Sequence, residues 1–268
     1  MPEFEHDGWK LRYEDTGEGP AVLLIHGLLF DSRQFAPQVE ALKDRYRVIT
    51  PDCRNHGRSE FREADYTQWD LMEDQVALLE HLGIGRGVWG GVSMGGFQSL
   101  RAALTHPDSV GGLILIDTQA GAENPDLSPM YEAAAAVAME SGWNEDISDL
   151  AAGILFGASA TEEVRAPWMD WWKAQPTHSA GALIRAVTRR EDITDRLGAI
   201  AAPAVVIHGE EDAAIPMERA EALAAGLPEI IEFARIPKAG HSSTLEQPAA
   251  VTAVLERFLG SVTAGTAA

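Results

Sequence analysis

Val88-Trp89-Gly90-Gly91-Val92-Ser93-Met94-Gly95-Gly96-Phe97-Gln98-Ser99-Leu100 sets one serine between two pairs of glycines. The residues before Ser93 read as a buried strand, and those from Phe97 to Leu104 as a helix. Gly91 to Gly95 match G-x-S-x-G. The strand-then-helix context gives that match its weight, because the five-residue pattern alone is common by chance. A serine on so sharp a turn is held in a strained backbone conformation, and only small neighbours let strand and helix pass that closely. The turn lifts the hydroxyl clear of the sheet. As local structure only, the same stretch is a glycine-rich helix start with a capping serine. Gly85-Arg86-Gly87-Val88-Trp89-Gly90 also satisfies G-x-G-x-x-G, but these glycines precede and occupy the strand instead of opening a helix after it. That is the wrong context for a dinucleotide fingerprint.

The alternation continues on both sides of this turn. Toward the N-terminus, "WKLRYED" alternates like a strand, and "AVLLIHG" and "YRVITPD" are apolar runs that read as buried strands. "DSRQFAPQVEALKD" and "YTQWDLMEDQVALLEHLGI" have helical spacing. Toward the C-terminus, "VGGLILIDT", "PAVVIHGEED" and "EIIEFARIP" read as strands, and "PMERAEALAAGL" and "STLEQPAAVTAVLERFLG" as helices, with a frayed tail "SVTAGTAA". Strands that are apolar throughout, alternating with helices, predict an α/β protein with a mostly parallel sheet covered on both sides. The alternation is interrupted between about 119 and 197 by an alanine-rich, helical segment containing Trp143, Trp168, Trp171 and Trp172. The expected organisation is one core domain, residues 1–118 and 198–268, with residues 119–197 as a helical insertion over the sheet.

Composition narrows the partners. The chain of 268 residues is 46% hydrophobic and 23% charged, the balance of a globular protein with a packed core. Its net charge of −20, from 41 acidic and 21 basic residues, repels nucleic acid and anionic membrane surfaces. Cys53 is the only cysteine, so an intramolecular disulfide and a cysteine-based zinc site are excluded. The N-terminus has no signal-peptide pattern, and no run of about 18 apolar residues occurs. A cytoplasmic location with no membrane partner is expected, and the sequence leaves the oligomeric state open.

A serine hydroxyl is a weak nucleophile until a base takes its proton, so the reading of Ser93 requires a histidine and a carboxylate further on. Asp212 follows the strand "AVVIHG", and His241 sits in "PKAGHSSTLEQP" before the last helix, giving the order Ser, Asp, His. Glu210, Glu211 and Asp117 compete with Asp212 for the acid, and His241 has the alternative of capping the last helix. His26-Gly27-Leu28 follows the first buried strand. The backbone N–H of Leu28 and that of Met94 are therefore the candidate oxyanion donors, with His26 itself structural. Arg54 and Asn55, in "PDCRNHGRS", lie where a substrate could reach them, although a loop-holding role fits them better. The four tryptophans of the insertion either wall a substrate pocket or hold its helices together.

Taken together, "HGLL", "PDCRNHGRS", "GVSMGG", "HGEED" and "GHSSTLEQP" resemble the α/β-hydrolase superfamily, in motif order over most of the chain outside the insertion. Within it, "GVSMGG" and "RNHGRS" are similar to the 3-oxoadipate enol-lactonase-like esterases and lactonases. The resemblance implies an eight-stranded sheet, a cap after the sixth strand, and a cofactor-free, metal-free Ser-His-Asp triad acting on small carboxylic esters or lactones through an acyl-enzyme. A serine at 93 separates the chain from relatives with an aspartate nucleophile. A cofactor-free perhydrolase of the haloperoxidase type, or a ligand receptor on the same fold, are the alternatives.

Overall fold

The computed structural model describes residues 2–263. Eight strands form one sheet: β1 (Glu3–His6), β2 (Trp9–Thr16), β3 (Ala21–Ile25), β4 (Arg47–Asp52), β5 (Gly87–Val92), β6 (Val110–Ile116), β7 (Ala204–Gly209) and β8 (Ile230–Ile236). Their order is β1-β2-β4-β3-β5-β6-β7-β8. β2 runs antiparallel to β1 and β4, and the remaining pairs are parallel.

The continuous apolar runs have a direct physical cause. Successive side chains of a strand point to opposite faces, so a strand covered on both sides needs an apolar residue at every position. Leu23, Ile25, Trp89, Leu113 and Leu115 join the core on one face, whereas Val22, Leu24, Val88, Ile114 and Ile116 join the core on the other. Helices α2 (Gln68–His81) and α3 (Met94–Thr105) pack on the first face. α1 (Ala36–Leu42) and α10 (Pro248–Thr263) pack on the second. α8 (Met217–Gly226) adds Ala220 and Leu223 to the first core. α2 begins with a full capping box, the Thr67 side chain accepting from the Asp70 N–H while the Asp70 carboxylate accepts from the Thr67 N–H.

Three local expectations are corrected. The stretch from Asp31 to Asp44 is not one helix: a 3-10 turn, Ser32–Phe35, precedes α1, whose start is fixed by Pro37 in its first turn. The last helix is likewise split into α9 (Ser243–Glu246) and α10, because Gln247 precedes Pro248 and is pushed out of helical geometry. Of the tail expected to fray, Ser261 to Thr263 continue α10, and residues 264–268 lie outside the described residues. β1 is an addition. It forms a hairpin with β2 through Asp7-Gly8, both at positive φ, and buries only Phe4.

Four helices lie between β6 and β7: α4 (Ser128–Ser141), α5 (Glu145–Leu155), α6 (Glu162–Lys173) and α7 (Ala180–Thr188). Ala135, Ala138, Ile147, Leu183 and Ile184 bind α4, α5 and α7 together, while α7 also sends Ala182, Ala186 and Val187 into the core of the sheet. The turn between β5 and α3 fixes the geometry below them. A Cβ on Gly95 would land on the Ile25 carbonyl oxygen, and one on Gly91 would lie 2.6 Å from the Gly95 backbone. Gly95→Ala is therefore expected to cost at least about 2 kcal/mol. Urea denaturation reads that loss, and an unchanged midpoint would show that the crossing has room to spare.

Candidate active site

The side chains singled out from the sequence converge where parallel strands end, the usual place for a ligand crevice in an open α/β sheet. Ser93 follows β5, Asp117 follows β6, Asp212 follows β7, His241 follows β8, and Leu28 follows β3. Ser93 has φ 50 and ψ −106, the strained conformation its surroundings predict. Its backbone is locked: the N–H donates to Ile116 O at 2.9 Å, and the carbonyl accepts from Phe97 N at 3.0 Å and Thr118 Oγ1 at 2.8 Å.

Asp212 is the carboxylate that meets His241. Its Oδ2 lies 2.8 Å from His241 Nδ1, and its Oδ1 accepts from the N–H groups of Ala214 and Ile215 at 2.9 and 2.8 Å. The turn after β7 thus orients the carboxylate, and the carboxylate fixes the proton on Nδ1, leaving Nε2 as the basic nitrogen. The three rivals are engaged elsewhere or exposed. Glu211 accepts from Ser159 N and Oγ, at 2.8 and 2.6 Å, and Glu210 is exposed. Asp117 accepts from Gly209 N at 2.9 Å and from Ser243 N and Oγ at 3.1 and 2.7 Å, so it ties three strand-end loops together. Burial, and then the charge of Asp212, push the Asp117 carboxyl above the usual carboxylate range. Asp117, His208 and Asp212 bring ligand-type atoms within 4.8 Å of one another. All of these atoms except His208 Nδ1 are already engaged by protein hydrogen bonds.

Ser93 and His241 line one chamber of ≈ 510 Å³ that is open to solvent. Leu28, Phe97, Ile154, Ile184 and Ile215 give it apolar walls, and Glu123, Tyr131 and Arg190 give it a polar end. Met94 N is at the first position of α3 and Leu28 is among the residues lining the chamber; neither N–H meets an acceptor among the described residues. The turn carrying Leu28 is rigid, because Gly27 N donates to Gln34 Oε1 at 2.8 Å and Gly27 O accepts from Phe30 N and His26 Nδ1. His26 is fully buried, accepts Cys53 N at 3.0 Å on Nε2, and is kept neutral chiefly by burial. Glu246, which the sequence reading missed, accepts from Gly240 N and Ser242 N on either side of His241 and from Gly157 N in the helical segment.

A family model for the alpha/beta hydrolase fold matches residues 20–248. The chain belongs to this family. As an α/β hydrolase it is similar to the thermophilic esterase of Thermogutta terrifontis, 33% identical, covering 97% of both chains with a TM-score of 0.90. It is also similar to the enol-lactonase of Burkholderia xenovorans LB400, at 28% identity over 96% of this chain and 99% of that one, with a TM-score of 0.89. The non-heme haloperoxidase of Rhodococcus erythropolis is 26% identical over 95% of this chain and 97% of its own length. The likeness to esterases and enol-lactonases inferred from the motifs is thus present along the whole chain. Among the described residues no helix is long and apolar enough to cross a membrane.

The tryptophans of this hydrolase are placed differently from a pocket wall around Ser93. Trp168 and Trp172 are buried against Phe30, with ring centroids 4.8 and 6.0 Å away, and Trp172 stacks on Phe156. Trp171 lies under the Arg33 guanidinium at 4.0 Å. These three hold the helices of the segment to the loop after β3, because large rings bury the most area where two layers meet. Trp143 alone approaches the chamber: it lines an adjoining apolar cavity that shares Leu28, Tyr131, Ile154, Leu155 and Ile184 with it. Arg54 makes a buried two-bond ion pair with Asp74, at 2.6 and 2.7 Å, so its role is to hold the loop. Asn55 accepts from Arg62 N at 2.7 Å and reaches Tyr66, again within the loop.

Proposed function

We propose that this α/β hydrolase cleaves carboxylic esters or lactones through an acyl-enzyme formed on Ser93. His241 takes the serine proton on Nε2, and Asp212 fixes the imidazole and stabilises its charge. The N–H groups of Leu28 and Met94 receive the oxyanion, each worth about 3 to 4 kcal/mol by analogy with well-studied hydrolases. His241 then activates water to release the acid. Residues 119–197 act as the cap that closes the chamber. The observation that carries this reading is the 2.8 Å Asp212–His241 bond, whose histidine lines the same chamber as a serine held at φ 50. The esterase and enol-lactonase similarities support the carbonyl class of substrate.

The base works only when neutral, which gives the reading a pH signature. Burial works to lower the His241 pKa, but the charge and hydrogen bond of Asp212 outweigh it and raise the pKa above the ordinary value of 6.5. For hydrolysis of p-nitrophenyl acetate and simple lactones, kcat/KM is therefore expected to fall as pH drops through a midpoint above 6.5. Absence of hydrolysis across a panel of esters and lactones, or an acidic limb centred well below that value, would remove the proposal.

A further inference from the structure

Arg101 on α3 is a buried cation without a carboxylate. It is 1% exposed, lies with its guanidinium carbon 5.0 Å from the Trp69 ring centroid, and donates only to backbone carbonyls, Phe97 O at 3.1 Å and Glu191 O at 2.9 Å. Its Nε has no partner among the described residues. Burial, and then the neighbouring Arg190, bring its pKa down to about 10. A buried charge left unpaired is strongly unfavourable unless something of opposite charge reaches it.

Arg101 lines a cleft of ≈ 730 Å³ between the start of α2 and the end of α7, which shares only Arg190 with the Ser93 chamber. Two more residues of this cleft carry buried, unpartnered atoms. Gln68 donates through Nε2 to Ala186 O at 2.9 Å, while its Oε1 has no partner. Arg190 uses Nε for Gly121 O and Nη1 for Glu123 and Val187 O, which leaves Nη2 without one. Three of the twelve such side-chain atoms among the described residues thus belong to residues that line this one cleft. Two are cationic donors and one is an acceptor. Arg185 and Arg189 also line the cleft, each paired with a carboxylate, Asp65 and Glu132 respectively. The acidic residues there are engaged: Asp65 with Arg185, Asp70 in the cap of α2, and Glu191 with Trp69 Nε1.

This donor and acceptor set fits an oxyanion that also carries a hydroxyl. We propose that the cleft binds hydrogen phosphate or the phosphate of a phosphomonoester, with Arg101 and Arg190 donating to its oxygens and Gln68 Oε1 accepting its O–H. The N-terminus of α2, which opens on the same cleft, adds a favourable dipole. The proposal does not depend on the chemistry assigned to Ser93.

Thermal unfolding of the full chain at constant ionic strength tests it, with sodium phosphate, glycerol phosphate, acetate or chloride as the added salt. Phosphate is expected to raise Tm by about 4 °C at a concentration well above its Kd, and acetate and chloride by much less. An equal or larger shift with glycerol phosphate assigns the site to monoesters, and a smaller one to free phosphate. Arg101→Met removes the cation and Gln68→Glu places a carboxylate in the cleft, and each should abolish the shift. If Arg101→Met does not fold, Gln68→Glu decides. No phosphate effect beyond that of chloride, or a shift that survives the folded substitutions, overturns the proposal.

Discussion

Replacing Ser93 by alanine is expected to lower kcat for p-nitrophenyl acetate by about 10⁴- to 10⁶-fold while leaving the unfolding midpoint close to that of the parent protein. The loss follows from removing the only atom proposed to form the acyl bond. Stability should be kept because the strained backbone is held by Ile116 O, Phe97 N and Thr118 Oγ1, none of which bonds to the serine hydroxyl. His241→Ala should be as damaging, and the double substitution scarcely worse, since a nucleophile and its base act as one unit. Steady-state kinetics with calorimetry on the three variants reads this directly. Independent, multiplying losses, or a Ser93→Ala protein that still turns over at the parent rate, would mean that another group carries the chemistry.

The second large effect separates two buried aspartates. Asp212→Asn keeps the size of the side chain but ends the control of the His241 tautomer, and activity at neutral pH should fall by about 10⁴-fold. Asp117→Asn should do the reverse. Its oxygens accept from Gly209 N, Ser243 N and Ser243 Oγ, so an amide NH₂ there faces a donor and leaves buried groups unsatisfied. A stability loss of about 1–3 kcal/mol is expected, with kcat retained within an order of magnitude. Denaturant titration and kinetics on both variants settle the assignment, and an Asp117→Asn protein that is stable but inactive would transfer the acid's role.

The sheet was legible because both of its faces are covered, which forces apolar residues at nearly every position of β3, β6 and β7, His208 being the polar exception. The turn at Ser93 was legible because its glycines answer a steric demand, the contact of Gly91 and Gly95 with the Ile25 carbonyl. β1 escaped notice because it is four residues long and buries one side chain, although Asp7-Gly8 is a strong hairpin signal. The walls of the chamber were not legible. Ile154 comes from α5, Ile184 from α7 and Arg190 from the stretch just after α7, and nothing in their local spacing says which side turns inward. The tryptophans lead to neighbouring cavities: Trp143 lines the apolar one beside the chamber, and Trp143, Trp171 and Trp172 line another with Asn55. The rings of Trp168 and Trp172 bury their area where the segment meets the loop after β3, and smaller aliphatic side chains line the chamber.

The central claim is that Ser93 is an activated nucleophile, and mass spectrometry after treatment with a fluorophosphonate tests it most directly. The account predicts a single adduct on the peptide containing Ser93, formed rapidly at neutral pH and lost in His241→Ala. An unlabelled protein, or an adduct on any other residue, would contradict it.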